Sequence, residues 1–529
     1  MTKLAVLKEQ FKNSALSRRQ FMEAVAALGL TVSAGSLLAA EASAATPHKG
    51  GRLRLGLGHG STTDSLDPST YANDFTNVLS NTLGNQLTEI SPSGELVPEL
   101  AESFEATPDA KTWTFKLRKG VEFHNGKSLT ADDVVTSFQY HLGEDSKSGA
   151  KGLLTQVETF RKDGDDTVIF ELSAGNADFP FVCSDYHIAI FPEKDGKLDW
   201  QSGLGTGPYM LENFEPGVRA SFKRNPNYWK VDRQHVDEVE MLSILDAVAR
   251  QNAVQTGEVD VIDKVEPKTA HLLENSPNLR LLEVTGTLHY SFPMRANVAP
   301  FDNNDLRLAI KYSVDREEML QKVLSGHGSL GNDHPISPAN RYHAAGLPQR
   351  GVDIDKAKFH LKKSGLSSVS LDLSASDAAF IGATDAAVLI QESAAKAGIA
   401  INVIREPKDG YWSNVWNTKP WCAAYWSGRP TEDWMFSVAY AADAKWNDSV
   451  WVHDHFNELL VAARAELDEA KRRSLYEEMQ SIVRDDGSTL IPMFANHIMA
   501  LRDNVAHSEQ VSGTWGLDGG KIAERWWLT

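Results

Sequence analysis

Thr112 to Arg118 place Trp113, Phe115 and Leu117 on one side of an extended segment, and Thr167 to Leu172 repeat the pattern with Val168, Phe170 and Leu172. Successive side chains of a strand point to opposite faces, so this alternation predicts two half-buried strands. Between them, Thr130 and Asp133 have the spacing of a capping box ahead of Val134, Val135, Phe138 and Leu142. That spacing predicts a helix laid on the sheet. The same pattern recurs where Val369, Leu371 and Leu373 alternate, Asp385 to Ala397 reads as a helix closed by Gly398, and Ile399, Ile401 and Val403 alternate again. Helical patterns follow at Phe456 to Leu467 and Leu475 to Val483, then a strand at Thr489 to Phe494. The fold class is α/β with mixed sheets. Turn-forming residues gather at Ser91 to Gly94, Gly203 to Pro208, Asn297 to Asn304 and Arg502 to Asn504, which are the expected boundaries.

At 529 residues the chain exceeds what one core organises, so two or three compact units are expected. No repeat of 20 to 50 residues is visible, which sets solenoids and propellers aside. No internal apolar run reaches the ~20 residues of a membrane-spanning helix. A net charge of -18 repels phosphate backbones and anionic lipid, so neither nucleic acid nor bare membrane is an expected partner.

The N-terminus changes the picture most. Ser17-Arg18-Arg19-Gln20-Phe21-Met22 precedes a mildly apolar stretch from Ala24 to Ala40 that ends in Ala42-Ser43-Ala44. Arg18 and Arg19 thus head a twin-arginine export signal, with cleavage expected after Ala44. The first cysteine is Cys183, so no lipid anchor is available near the cleavage point, and the mature protein is expected free in a periplasm. Cys183 and Cys422 are open to two readings, one disulfide or two buried thiols.

Motifs for catalysis are wanting. Gly56, Gly58 and Gly60 are not followed by the Lys-Ser/Thr pair and helix of a phosphate loop, and there is no His-Glu-x-x-His or paired Cys-x-x-Cys. His453 and His455 would share a face of a strand but have no third ligand at metal spacing. No serine sits in a Gly-x-Ser-x-Gly elbow. The absence of these motifs weakens the case for catalysis, so no catalytic residue, cofactor or metal is expected. Seven of the 13 tryptophans, Trp412, Trp416, Trp421, Trp426, Trp434, Trp446 and Trp451, fall in one short stretch. Flat rings offer apolar area at low entropic cost, so this stretch is a candidate ligand wall, with Tyr425 beside it and Arg429 and Asp433 supplying opposite charges.

Several blocks carry a family resemblance: Leu66-Asp67-Pro68, the run from Leu87 to Val135, Gly205 to Tyr209, Arg224 to Trp229, Asp305 to Leu320, and Arg472 to Phe494. With them the chain resembles solute-binding protein family 5, the dipeptide- and oligopeptide-binding proteins of bacterial ABC transporters. The resemblance implies a bilobed periplasmic-binding-protein fold of the large, three-domain type II form with a two-strand hinge, here near Pro300 and Arg502. With the signal at residues 1–44, this places 45–92 with 205–298 and 500–529 in the main part of lobe 1, 93–204 in an accessory domain, and 299–499 in lobe 2. It implies a monomer that captures a peptide or peptide-like ligand by lobe closure and hands it to an ABC permease with its ATPase subunits. An opine-like anionic conjugate, an oligosaccharide, a metal chelate or a secreted hydrolase on the same scaffold are the alternatives. Peptide binders of the family keep an acid a few residues after a late Trp, to pair the ligand's ammonium. Counted from Trp421 that position holds Ala424, and counted from Trp426 it holds Arg429. The second alignment keeps the following Pro turn in line and reverses the charge. The ligand-binding set expected is therefore Trp412, Trp421, Tyr425, Trp426, Arg429, Asp433 and Trp434.

Overall fold

A computed structural model describes residues 47–529, apart from 145, 147, 408–410, 443 and 445. The twin-arginine motif and the cleavage point lie outside the described residues. Among the described residues no helix is long and apolar enough to cross a membrane.

The first lobe is built on a seven-stranded mixed sheet. Its order is Tyr209–Glu215, Arg219–Arg224, Glu238–Ser243, Arg52–Leu57, Val261–Ile262, His497–Arg502 and Leu279–Val284. Arg52–Leu57 runs parallel to both of its neighbours, and its alternate leucines Leu53, Leu55 and Leu57 are fully buried. The accessory unit carries its own sheet, Ala101–Ala106, Thr112–Leu117, Thr167–Leu172 and Val157–Lys162, all antiparallel. Trp113, Phe115, Val168 and Phe170 face its core, as their alternation predicts. The helix Ala131–Leu142 packs there behind the expected capping box of Thr130 and Asp133.

The second lobe holds the sheet Gly328–Leu330, Thr489–Ala495, His289–Pro293 and Ala424–Trp426, beside the parallel pair Val369–Ala375 and Ile399–Arg405. Between that pair in sequence runs the helix Ala383–Ala395, so the predicted strand-helix-strand unit forms. The chain passes between the lobes twice, at residues 285–288 and at Asn496. The crossings run side by side, with Val284 opposite His497 and His289 opposite Phe494.

These crossings lie earlier in the chain than the expected sites near Pro300 and Arg502, and earlier than boundaries at 298 and 500. The reason is hydrogen bonding: His289–Pro293 pairs with Thr489–Ala495 of the second lobe, while Asn297 to Asn304 is only a turn leading into the helix Asn304–Ser313. His453 and His455 also differ from expectation. His453 caps the helix Asp454–Ala465, accepting the Phe456 N–H, and His455 lies within that helix against Glu458 and Glu478. Cys183 and Cys422 are separate buried thiols in the cores of different lobes.

Candidate functional site

A cavity of about 1380 Å³ opens between the lobes. The first lobe meets it with the segments that follow its parallel strands Arg52–Leu57 and Val261–Ile262, where ligands of open α/β sheets collect. The accessory unit supplies a wall with Gln156, Asn176, Asp178 and Phe181. The second lobe closes it with residues that follow the strand Ala424–Trp426 and with the helix Glu432–Ala439.

The loop that carries Arg429 is fixed by its neighbour. Gly428 has φ of +75°, and a Cβ there would meet the Thr287 side chain at 2.2 Å, so only glycine fits. Thr287 lies on a crossing between the lobes and donates its hydroxyl to the Ser427 carbonyl at 3.2 Å. Arg429 therefore stands on a loop anchored to the interlobe connection. Its Nη1 donates to the Gly428 carbonyl at 2.6 Å, and its guanidinium lies 5.7 Å from the Trp426 ring centroid. Burial pushes its pKa down, against the opposing fields of Tyr186 and Asp185 from the first lobe. No carboxylate forms an ion pair with it among the described residues.

Asp433 sits in the first turn of its helix behind the Thr431 cap and also lines the cavity. Its carboxylate accepts from Arg464 Nε at 3.0 Å, and burial pushes its pKa up. Trp434 and Tyr425 line the cavity too, with Trp446. Three other expected residues do not. Trp421 is fully buried against Phe301 in the second-lobe core. Trp426 is buried and donates its indole N–H to Asp448, which Trp416 also does. Trp412 is partly exposed, packed edge-on to Tyr425 and Trp416, and stands outside the lining. The tryptophan stretch is thus mainly a core layer whose outer members reach the cavity.

The first-lobe face was not foreseen from the sequence. Asp74 opens the helix Asp74–Leu83 and pairs with Lys264 at 3.0 Å, which with His59 outweighs burial and holds its carboxyl well below the usual range. Asp185 holds His187 Nδ1 at 2.5 Å, and Asp178 holds Arg472 at 2.5 Å. These groups come from segments far apart in sequence, and no motif spacing announces them.

A family model, bacterial extracellular solute-binding proteins, family 5 Middle, matches residues 95–448. The chain belongs to this family. Among relatives, it is 26% identical over 488 residues to di/tripeptide-binding protein 1 of Pseudomonas aeruginosa, covering 85% of this chain and 90% of that one. It is 29% identical over 454 residues to the dipeptide-binding protein of Escherichia coli, covering 77% and 83%. The solved structure of HbpA2 from Haemophilus parasuis superposes with a TM-score of 0.79 at 21% identity, covering 90% of this chain and all of that one (100%). In family 5 terms the fold is the bilobed, mixed α/β binding-protein fold, and the cavity occupies the cleft between its lobes.

Proposed function

We propose that the mature protein is the periplasmic substrate-binding component of an ABC importer, which captures small peptides or peptide-like ligands between its lobes and delivers them to the permease and its ATPase subunits as a monomer. The curated relatives named for di- and tripeptides support the peptide class. The observation that carries the site assignment is Arg429, a cation lining the cavity with no ion-paired carboxylate among the described residues. A guanidinium in that setting matches a ligand carboxylate in a bidentate fork. Free peptides offer one at their C-terminus, and opine-like conjugates offer one as well. The two crossings are the hinge of this reading, and closure about them removes the ligand from water and strengthens each contact made to it.

Mass spectrometry of the ligand that co-purifies with the protein tests the class. A peptide or peptide-like acid is expected, returned unchanged after prolonged incubation. A sugar, a chelate or hydrolysed peptide would defeat the proposal. Export by the twin-arginine route is tested by replacing Arg18 and Arg19 with lysine. The double variant should fail to accumulate in the periplasm, and normal accumulation would refute the route.

A further inference from the structure

The charged groups of the cavity fall into two sets. Most already have a protein partner of opposite sign: Asp74 with Lys264 at 3.0 Å, Asp185 with His187 at 2.5 Å, Asp178 with Arg472 at 2.5 Å, and Asp433 with Arg464 at 3.0 Å. Lys268 reaches across the cleft to Asp385 at 3.1 Å, and Asp263 accepts from the Gly58 N–H at 2.6 Å with Arg250 at 3.8 Å. Two formally charged lining groups lack an ionic partner among the described residues. One is Arg429 on the second lobe. The other is Glu266 on the first lobe, partly buried, whose backbone carbonyl accepts from Thr269 while its carboxylate makes no hydrogen bond or ion pair.

We propose that Glu266 receives the cationic end of the ligand while Arg429 receives its anionic end, so that the cavity selects zwitterions held between the two lobes. This rests on the peptide-binding reading above and names its specificity. A ligand ammonium approaching Asp433 would have to compete with Arg464, which already holds that buried carboxylate at 3.0 Å. At Glu266 it breaks no ion pair or hydrogen bond among the described residues. The two open charges also sit on opposite lobes, and Lys268, two residues from Glu266, touches the second lobe directly. Both ends of a zwitterion are then satisfied together only when the lobes are close, which gives the ligand a differential affinity for the closed form. The alignment with peptide binders points to an acid on the second lobe for the ammonium, and in this chain the acceptor moves to the first lobe as the charge at residue 429 reverses.

The test uses free peptides of increasing length, Ala-Phe, Ala-Ala-Phe and Ala-Ala-Ala-Phe, with their N-acetyl forms, titrated by calorimetry into wild type and Glu266→Gln. The best free peptide should lose at least tenfold in affinity on N-acetylation in the wild type. Glu266→Gln should weaken that free peptide by about tenfold and leave the N-acetyl form within twofold. An unchanged melting temperature confirms that the variant is folded. Should it not fold, N-acetyl forms that bind the wild type as well as free ones still overturn the proposal. Free peptides that bind both proteins equally, or N-acetyl forms that bind the wild type as well as free ones, overturn the role of Glu266 and leave the peptide reading standing. If no free peptide binds the wild type, the peptide reading falls and this proposal with it.

Discussion

Two regions of this molecule treat charge in opposite ways. At the junction of the first lobe and its accessory unit, Glu89, Glu99 and Glu524 converge, with a ligand atom of each within 4.8 Å of the others. Three carboxylates so placed could hold a metal ion, yet protein cations already fill the space between them. Lys230 lies 2.5 Å from Glu89, 2.7 Å from Glu99 and 2.9 Å from Glu524, while Lys521 reaches Glu99 at 2.6 Å and Arg525 reaches Glu89 at 2.6 Å. The cleft cavity differs, since Glu266 and Arg429 have no ionic partner there among the described residues. A closed network ties the C-terminal segment to residues more than four hundred positions earlier, as Lys521 and Glu99 are 422 apart. An open charge has no counter-charge in the empty protein and can take one from outside. Compensation thus separates charges that build the fold from charges that read a ligand.

Breaking each region should show that difference. Replacing Lys230 with methionine leaves several buried carboxylates short of a cation, and removing one partner of such a set costs about 3–5 kcal/mol of stability. Thermal or denaturant unfolding should register this as the largest loss, with ligand affinity of the folded variant preserved. Arg429→Ala should do the reverse. Ligand affinity should fall by about 2–5 kcal/mol, more than tenfold, while the empty protein melts no lower than wild type because a partly buried cation without an ionic partner among the described residues has gone. Arg429→Lys keeps the charge without the fork and should recover only part of the affinity. An Arg429→Ala variant that binds within twofold of wild type would reduce Arg429 to loop surface.

The closed network and the open charges were unequally legible in the sequence. Local periodicity was enough for the strands Thr112–Leu117 and Thr167–Leu172 and for the capped helix between them, since each signal spans only a few residues. The crossings were misplaced because Pro300 and its neighbours mark a turn in any context, whereas strand pairing of His289–Pro293 with Thr489–Ala495 joins segments about two hundred residues apart. Arg429 could be singled out because alignment on Trp426 reverses an expected charge. Glu266 and the partner of Asp433 could not, because whether a carboxylate is compensated depends on what the fold brings beside it. The tryptophan stretch misled in the same manner, since density along the chain does not say which rings face inward, and Trp421 and Trp426 do.

A buried acid without a counter-charge gives the smallest and most specific effect. Glu432, next to Asp433, is buried, accepts the Tyr342 N–H at 2.7 Å and forms no ion pair among the described residues. Burial, with the field of Asp178 and against that of Arg472, pushes its pKa up to about 7. The folded state therefore holds a proton that the unfolded chain releases near the ordinary carboxylate value, and stability must fall as pH rises from about 4.5 to 7 before levelling off. Asp448, pushed up to about 6 by burial between two indoles, adds to the slope in the same direction, while Lys311, pushed down to about 7, acts in the separate window above neutrality. Glu432→Gln keeps an acceptor for Tyr342 and removes the titration, so its melting temperature should gain on the wild type between pH 5 and 7 and run parallel to it above. One proton limits the effect to at most about 1.4 kcal/mol per pH unit. Melting curves for the two proteins that stay parallel across the whole range would mean that Glu432 is ionised in the folded protein, and that a buried carboxylate here needs no cation beyond the reach of Arg472.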